Sequence, residues 1–263
     1  MPNESENTRL NISNIRKMLS QAEKGGIQNT IQNCVTVLQN DPVLADSIRL
    51  NLLSERIDIV KPMGWQRSGP TLTDTDMMYI LRRMEKYGLY SEKRVSAAIR
   101  IVANENHYHP IRDYLNDLKW DGAERIGHAL HRFLGAAEDE LTAEALKIFL
   151  LGAIKRVFHP GCKFEMMLCL VGGQGAGKSS FFRLLAIKDE WFSDDLRRLD
   201  DDNVFRKLQG HWIMEMSEMI ATANAKSIEE IKSFLSKQKE TYKIPYETHP
   251  ADRLRQCVFA GTT

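Results

Sequence analysis

Residues 166–186 read MMLCLVGGQGAGKSSFFRLLA, and the character of the whole fold follows from this segment. An apolar run, Met166 to Val171, precedes a glycine-rich turn, and a second apolar run with helical spacing comes after it. Residues 172–179 match the pattern G-x-x-x-x-G-K-S/T (Walker A) in full. A strand before this pattern and a helix after it are the setting in which it forms a phosphate-binding loop. We therefore predict a strand, a P-loop and a helix in this order.

The residue types in the loop suit the phosphates of a nucleotide. Glycines allow successive backbone N–H groups to turn towards phosphate oxygens, and the helix N-terminus adds free donors and partial positive charge. Lys178 is placed to reach the β- and γ-phosphates, and Ser179 offers a hydroxyl to Mg²⁺. The alternative is a glycine-rich turn with an exposed lysine, which does not require the flanking strand and helix. The predicted nucleotide-binding residues are Gly172, Gly173, Gln174, Gly175, Ala176, Gly177, Lys178, Ser179 and Ser180.

A later apolar run contains the carboxylate that a P-loop needs for Mg²⁺. Residues 211–218 read HWIMEMSE, a predicted strand in which apolar side chains flank Glu215. Because burial of an unpaired carboxylate is costly, Glu215 is better explained as a metal-side residue than as core. Glu218 follows three residues later, where it could orient or deprotonate an attacking water, and a solvated loop acid is the alternative. The predicted catalytic residues are Lys178, Glu215 and Glu218, and the predicted metal residues are Ser179 and Glu215.

Short apolar runs alternate with helical patterns beyond the P-loop, in the order FFRLLA, HWIMEM, IEEIKSFL and RQCVFAG. This alternation predicts an α/β domain with a largely parallel sheet. We place this domain at residues 136–263, after the joint Gly135-Ala136-Ala137.

The preceding sequence has a different pattern. Residues 27–135 are mainly helical in spacing, include a capping box from Thr73 to Asp76, and form a predicted accessory domain. Residues 1–26 carry few apolar positions and are predicted to be a flexible leader, with a short helix around Leu10 to Leu19 as a further feature.

Composition excludes several classes of protein. The 43% of apolar residues suffices for a core, and 36 basic against 35 acidic residues leave a formal net charge of +1. Near-neutrality argues against a polybasic nucleic-acid binder, although not against a local basic groove. The longest apolar stretches are shorter than the roughly 18 residues of a membrane span, and the N-terminus lacks a signal-peptide pattern. We expect a soluble, internal protein with no membrane partner.

The cysteines and a pair of histidines give little indication of a metal site or a disulfide framework. The four cysteines are widely scattered, which favours reduced thiols and a cytosol-like compartment. His107 and His109 could ligate a metal, but no further ligand has a recognisable spacing, so structural histidines are the better interpretation.

Basic and aromatic residues alternate near the C-terminus. This pattern suits phosphate contact and base stacking in nucleic-acid binding, whereas composition alone favours solvated surface charges. The candidates for a nucleic-acid or inter-subunit surface are Lys232, Lys243, Arg253 and Arg255.

Taken together, these residues resemble the virulence-associated protein E family, replication ATPases of phages and mobile elements that are in turn similar to superfamily 3 helicases. The resemblance runs from about residue 27 to the last residue. Its most specific stretches are PGCKF (160–164), the E-x-x-E strand at Glu215 and Glu218, and RQCVFAGTT (255–263). The P-loop alone is generic.

The resemblance implies an ATPase core of the AAA+ type with ATP and Mg²⁺ as cofactors. It also implies a ring-shaped homo-oligomer acting on single-stranded or unwinding DNA in the cytoplasm of a bacterial host. Lys178 and Ser179 take the nucleotide and Mg²⁺ positions, Glu215 the second acidic motif, and Glu218 the position of its catalytic partner. Lys232 and residues 241–255 take the position of the DNA-facing or inter-subunit element.

The family pattern continues past G-T-T with a polar sensor residue and an arginine-bearing segment, and Thr263 is the last residue here. We therefore expect a C-terminally truncated fragment or a decayed copy. Because an arginine finger contributes about 10³–10⁵ in turnover where one is used, nucleotide binding should survive this loss better than hydrolysis.

Three functions are compatible with this sequence. The first is a Mg²⁺-dependent ATPase, a helicase-like motor of phage or mobile-element replication. The second is a catalytically incomplete remnant that binds ATP or DNA without turnover. The third is a small-molecule P-loop kinase, against which stands the lack of a recognisable arginine-rich lid.

Overall fold

The structure is a computed structural model that describes residues 11–23, 25–196, 199, 204–217, 225–242 and 251–263. The chain divides into two compact units, residues 1–110 and 111–263. The division lies before the boundary expected near residue 136, because the two helices on either side of that point pack against each other within the second unit.

The first unit is mainly helical and includes one hairpin. Its helices are α1 (Ile12–Met18), α2 (Ile31–Asn40), α3 (Asp74–Met84) and α4 (Glu92–Glu105), and a 3₁₀ turn (Glu85–Tyr87) follows α3. The strands β1 (Ile48–Asn51) and β2 (Arg56–Ile59) pair in antiparallel fashion. Helices α2 and α4 pack closely and form the centre of its core.

The described part of the predicted leader is packed into this core. Helix α1 buries Ile15 completely, and Leu19 directly after it is also buried. The amide of Asn33 donates to the Ser20 carbonyl at 3.0 Å, and its oxygen accepts from the Ser20 N–H at 3.0 Å. The expectation of a flexible leader therefore does not describe residues 11–23. Two apolar side chains four positions apart suffice to dock one helical face, even in an otherwise polar segment.

The capping box at the start of α3 is present as predicted. The Thr73 hydroxyl accepts from the Asp76 N–H, and the Asp76 carboxylate accepts from the Thr73 N–H at 2.9 Å. Asp76 is buried and also accepts from Trp65 Nε1 at 2.7 Å and from Arg67 Nε at 2.8 Å. Burial by itself would raise the pKa of Asp76, but these hydrogen bonds outweigh it and hold the pKa well below its usual range.

The second unit is an α/β fold built on a parallel sheet. Its helices are α5 (Pro110–Asp117), α6 (Ile126–Leu134), α7 (Glu140–Phe158), α8 (Lys178–Leu185), α9 (Val204–Leu208) and α10 (Ala225–Ser236). Its strands are β3 (Met167–Leu170), β4 (Phe192–Ser193), β5 (Ile213–Met216), β6 (Lys239–Tyr242), β7 (Ala251–Leu254) and β8 (Val258–Thr262). Strands β6 and β7 form a separate antiparallel pair.

Four strands form the sheet in the order β3-β8-β5-β4, and all three pairings are parallel. Every residue of β5 and of β8 is buried. Central parallel strands are covered on both faces, which explains their nearly continuous apolar sequence. The predicted α/β architecture with a largely parallel sheet is confirmed. The carboxyl ends of the strands lie along one edge, where loops can assemble a site.

Helix α7 packs closely against the segment that leads into β3, because it has a glycine, Gly152, at the point of contact. A Cβ at Gly152 would come within 2.2 Å of two ring atoms of Phe164. One turn further on, the buried Arg156 donates to the carbonyl oxygens of Phe164 and Cys257 at 2.8 Å each. Trp212 Nε1 donates to the Ala153 carbonyl at 3.0 Å. Close approach and hydrogen bonding thus fix α7 at the amino ends of β5 and β8.

Among the residues that the structure describes, no helix combines the length and the apolar character needed to cross a bilayer.

We predict that Asp76→Ala lowers the free energy of unfolding by about 3 kcal/mol, because it removes a buried carboxylate that accepts from Trp65, Arg67 and Thr73 and leaves the half-buried Arg67 cation without its counter-charge. Since the folded-state pKa of Asp76 lies below the unfolded value of about 3.9, its stabilisation is complete above that value and is lost as pH falls through the folded-state pKa. Urea unfolding at a series of pH values measures this effect. Equal stability of variant and parent at neutral pH would contradict it.

Candidate functional site

The glycine-rich loop joins β3 to α8 at the carboxyl edge of the sheet. Gly175 and Gly177 have φ values of +80° and +82°, a region that side-chain-bearing residues rarely adopt. Gly177 is also the N-cap of α8, so Lys178 is the first helical residue. Lys178 Nζ donates to the carbonyl oxygens of Gly172 and Gly173, at 2.7 and 2.8 Å. The ammonium group therefore lies over the start of the loop.

An open cavity of about 580 Å³ lies on the loop. Most of the predicted nucleotide-binding residues line it, and residues from two strand ends complete the wall. The lining residues are Gly172, Gln174, Gly175, Ala176, Gly177, Lys178, Ser179, Ser180, Ser217, Thr262 and Thr263. Gly173 contributes through its carbonyl, which accepts from Lys178.

Glu215 is held by the hydroxyl groups of two residues that line this cavity. It lies in β5 and is only 1% exposed. Its Oε1 accepts from Ser179 Oγ at 2.7 Å and from Thr262 Oγ1 at 2.5 Å. Its other oxygen, Oε2, is buried and has no hydrogen-bond partner among the described residues. A buried carboxylate oxygen without a donor is costly, so this atom is suited to a ligand that the chain itself does not provide.

The donor set around Oε2 fits a hard divalent cation. A carboxylate oxygen and a serine hydroxyl are oxygen ligands of the kind that Mg²⁺ prefers, and Mg²⁺ commonly takes one or two protein ligands and completes its shell with phosphates and water. Within the described part of the chain, no group of three or more His, Cys, Asp or Glu side chains could hold a metal ion. Ser179 Oγ and Glu215 Oε2 are the two oxygen atoms that this site offers to such a cation.

The structure brings together most of the residues that the sequence singled out here. Lys178 and Ser179 line one cavity, and Glu215 contacts Ser179 from behind the cavity wall. Glu218 lies outside the described residues. Thr262 was not among the predicted site residues, and its hydroxyl reaches Glu215 because β8 pairs directly with β5. The sequence does contain a feature that could have identified Thr262. It is a hydroxyl residue at the end of an apolar run, and the α/β pattern allows that run to pair with the strand that contains Glu215.

The basic residues near the C-terminus have dissimilar environments. Lys232 is exposed on α10 and pairs with Glu229 at 2.7 Å, and Arg253 is half-buried in β7. Lys243 lies outside the described residues.

Arg255 is not a surface residue, and its assignment to a nucleic-acid or inter-subunit surface was wrong. Its side chain is 1% exposed and forms an ion pair with the buried Glu240, with Nε at 2.9 Å from Oε1. Its guanidinium lies 4.3 Å from the ring centroid of Phe234 and 5.3 Å from that of Phe259. Composition could not reveal this burial, because the partners are brought in by three separate elements.

Comparison with known proteins gives one family and several distant structures. The model of the virulence-associated protein E-like domain matches residues 115–263, which is more than half of the chain. No curated protein matches the chain in sequence.

Among solved structures, three apo structures of the NrS-1 C-terminal region are similar to the chain. Their sequence identities are 13%, 12% and 11%, and their TM-scores are 0.48, 0.44 and 0.43. Each match covers 82% of this chain and 53% of the other, so the chain spans about half the length of these structures.

We predict that Arg255→Ala lowers the free energy of unfolding by about 3 kcal/mol, because Glu240 would remain buried without its counter-charge. Lys232→Ala is the matched control, since an exposed pair three residues apart on a helix contributes little. Urea unfolding of both variants measures the difference. Unchanged stability of the Arg255 variant would show that its side chain is not part of the core.

Proposed function

Because the chain belongs to the virulence-associated protein E-like family, matched over residues 115–263, we propose that it binds and hydrolyses ATP with Mg²⁺. In this proposal it is a P-loop ATPase of the AAA+ type and a helicase-like replication protein of a phage or mobile element. The observation that supports the proposal is that Lys178 and Ser179 line one cavity, while the buried Glu215, with one oxygen free of hydrogen bonds, contacts Ser179 directly behind it.

Phosphate binding is supported by the loop and by the helix that follows it. Backbone N–H groups of residues 175–178 are in the region where a glycine-rich turn and a helix N-terminus favour anions. Lys178 Nζ has two carbonyl partners here, and in the proposed complex it exchanges them for β- and γ-phosphate oxygens. Its charge then stabilises the negative charge that develops on the transferring group.

The metal subsite of the proposal consists of Ser179 Oγ and Glu215 Oε2. Bound Mg²⁺ would neutralise charge on the β- and γ-phosphate oxygens. Thr262 positions the carboxylate, because its hydrogen bond to Oε1 leaves Oε2 as the free oxygen. Glu218 is proposed to orient or deprotonate the attacking water in an in-line displacement.

The proposed motor acts on single-stranded or unwinding DNA and works as a ring of identical subunits. The described candidates for its basic surface are the exposed Lys232 on α10 and the half-buried Arg253 in β7, and Lys243 belongs to the same proposal from sequence. Arg255 does not belong to it.

One observation favours a second candidate, a protein that holds ATP without turning it over. Among the described residues lining the cavity, Lys178 is the only one with a cationic side chain. Enzymes that use an additional arginine at the γ-phosphate gain about 10³–10⁵ in turnover from it. Binding would then be retained while hydrolysis is slow.

We predict that Lys178→Ala abolishes ATP binding and any DNA-stimulated hydrolysis, because it removes the main positive charge from the phosphate site. Titration calorimetry with Mg-ATP and phosphate release with and without single-stranded DNA measure both properties. Lys188→Ala, on the exposed turn after α8, is the matched control and should behave like the parent. Unchanged ATP affinity in the Lys178 variant would contradict the site, and binding by the parent without release would establish the second candidate.

We predict that Glu218→Gln retains ATP affinity and loses residual hydrolysis, because the amide cannot deprotonate the attacking water. Single-turnover phosphate release separates this effect from binding. Hydrolysis at the parental rate would show that Glu218 is a solvated acid with no catalytic part.

A further inference from the structure

A cavity in the first unit lies outside both the glycine-rich loop and the residues that the family model matches. Residues 59–70, which join β2 to α3, line it, and its volume of about 480 Å³ is within the range of roughly 300–1,000 Å³ of ligand pockets. The ends of this loop are joined, because the Ile59 N–H donates to the Pro70 carbonyl at 2.8 Å. Arg67 also donates to the carbonyls of Ile59 and Pro70, at 3.1 and 3.0 Å. These bonds hold the loop in one shape around the cavity.

One wall of the cavity is an indole ring that the fold holds in place. Trp65 lines the cavity and is half-buried. Its Nε1 donates to the buried Asp76 at 2.7 Å, and the ring of Tyr79 stacks on it, with centroids 4.8 Å apart and 8° between the planes. Tyr79 occupies one face of the indole, so a second flat group can stack only on the other face. Because both contacts orient the indole before a ligand arrives, such a group binds at little cost in side-chain entropy.

The side chains around this ring are apolar or basic. Met63 contributes apolar surface, and Lys61 and Arg67 are the charged side chains among the described lining residues, none of which is acidic. The charge of Arg67 is balanced by Asp76. Lys61 pairs with Asp46 at 3.1 Å, but the Asp46 side chain is 82% exposed, and an exposed pair of this kind is weak. Lys61 is therefore the cation that an anionic ligand can recruit.

Further basic residues follow the aromatic stack along α3. Tyr79 is 40% exposed, and Arg82 lies three residues further on, on the same side of the helix. Lys86 follows in the 3₁₀ turn and is also exposed. Neither Arg82 nor Lys86 forms an ion pair with a residue that the structure describes. Both rings of the stack therefore have a cation nearby: Lys61 at the cavity, and Arg82 one turn from Tyr79.

We propose that this cavity, the Trp65 pocket, binds one nucleotide of a single-stranded DNA. The base stacks on the face of the Trp65 ring that Tyr79 leaves free, and a neighbouring phosphate contacts Lys61. Aromatic rings combined with cations along the backbone are the means by which proteins hold single strands without sequence preference. The cations favour this polyanion over a proline-rich peptide, which also uses aromatic grooves. The inference rests on the proposed function for the choice of DNA and adds a contact in the first unit.

The first test measures the binding of a fluorescently labelled oligothymidine to the whole chain by anisotropy, without ATP, at a series of salt concentrations. Trp65→Leu should weaken binding by about tenfold, because one base loses its stacking partner. Lys61→Ala should lower the slope of log affinity against log salt by about 0.7, because one phosphate contact is lost. Trp65→Leu should leave this slope unchanged, and Trp65→Phe, which keeps a ring, should retain most of the affinity.

Two residues of the second unit provide controls of the same residue types. Trp120 is 80% exposed, and Lys147 forms an exposed pair with Glu144 at 2.7 Å. Trp120→Leu and Lys147→Ala should change neither the affinity nor the salt slope. Equal weakening by Trp65→Leu and Trp120→Leu would show that any exposed indole has this effect, and would overturn the assignment.

The second test uses the unmodified protein, so it does not depend on the folding of a variant. An oligothymidine that contains 5-iodouracil is cross-linked to the whole chain with ultraviolet light, and the product is mapped by peptide mass spectrometry. Cross-links should lie in the tryptic peptide that contains Trp65. Unlabelled oligothymidine should remove them, and a proline-rich peptide should not. Removal by the peptide alone would assign the pocket to a peptide ligand and overturn the inference.

The outcomes separate the inference from the function on which it rests. Parental affinity in Trp65→Leu together with a parental salt slope in Lys61→Ala, or cross-links only outside the Trp65 peptide, would overturn the Trp65 pocket and leave the proposed function intact. Failure of the parent to bind oligothymidine, while it binds Mg-ATP, would overturn the inference together with the DNA partner of the proposed function.

Discussion

One carboxylate oxygen, Oε1 of Glu215, joins three elements of the second unit. Ser179 donates to it from the first turn of α8, and Thr262 donates to it from the end of β8. A carboxylate buried in a central strand requires such donors, because water cannot reach it. The same two hydrogen bonds fix where α8 begins and where β8 ends relative to β5. The position of the glycine-rich loop therefore follows from the solvation of one charged group.

The sequence predicted those parts of the site that depend on residues close together in the chain, and missed those that depend on contacts between distant elements. The strand, loop and helix around residues 172–179 were predictable because the motif and its flanks are contiguous, and Glu215 because an acid interrupts an apolar strand. Arg255 was not predictable, since its burial depends on Glu240 and on two phenylalanine rings from other elements. Helix α1 was underestimated because its two apolar contacts become favourable only on a surface built elsewhere.

Buried or half-buried arginines connect elements in both units, which explains why basic residues were a poor guide to a binding surface. Arg67 joins a loop to the cap of α3 through Asp76, and Arg255 ties β7 to the end of α10 and to β6. Arg156 donates to main-chain carbonyls from α7. The planar guanidinium group donates to several acceptors from one side chain. Some of the basic residues of this nearly neutral chain are therefore inside the fold and are not available to a binding surface.

The contact between Gly152 and the ring of Phe164 sets a limit on how this chain can diverge. Even one methyl group at position 152 would overlap the ring, at 2.2 Å. Phe164 leads directly into β3, the strand that carries the loop, and its carbonyl is held by Arg156. A larger residue at 152 is therefore tolerable only together with a smaller one at 164. In related sequences these two positions should vary as a pair, with their summed side-chain volume nearly constant.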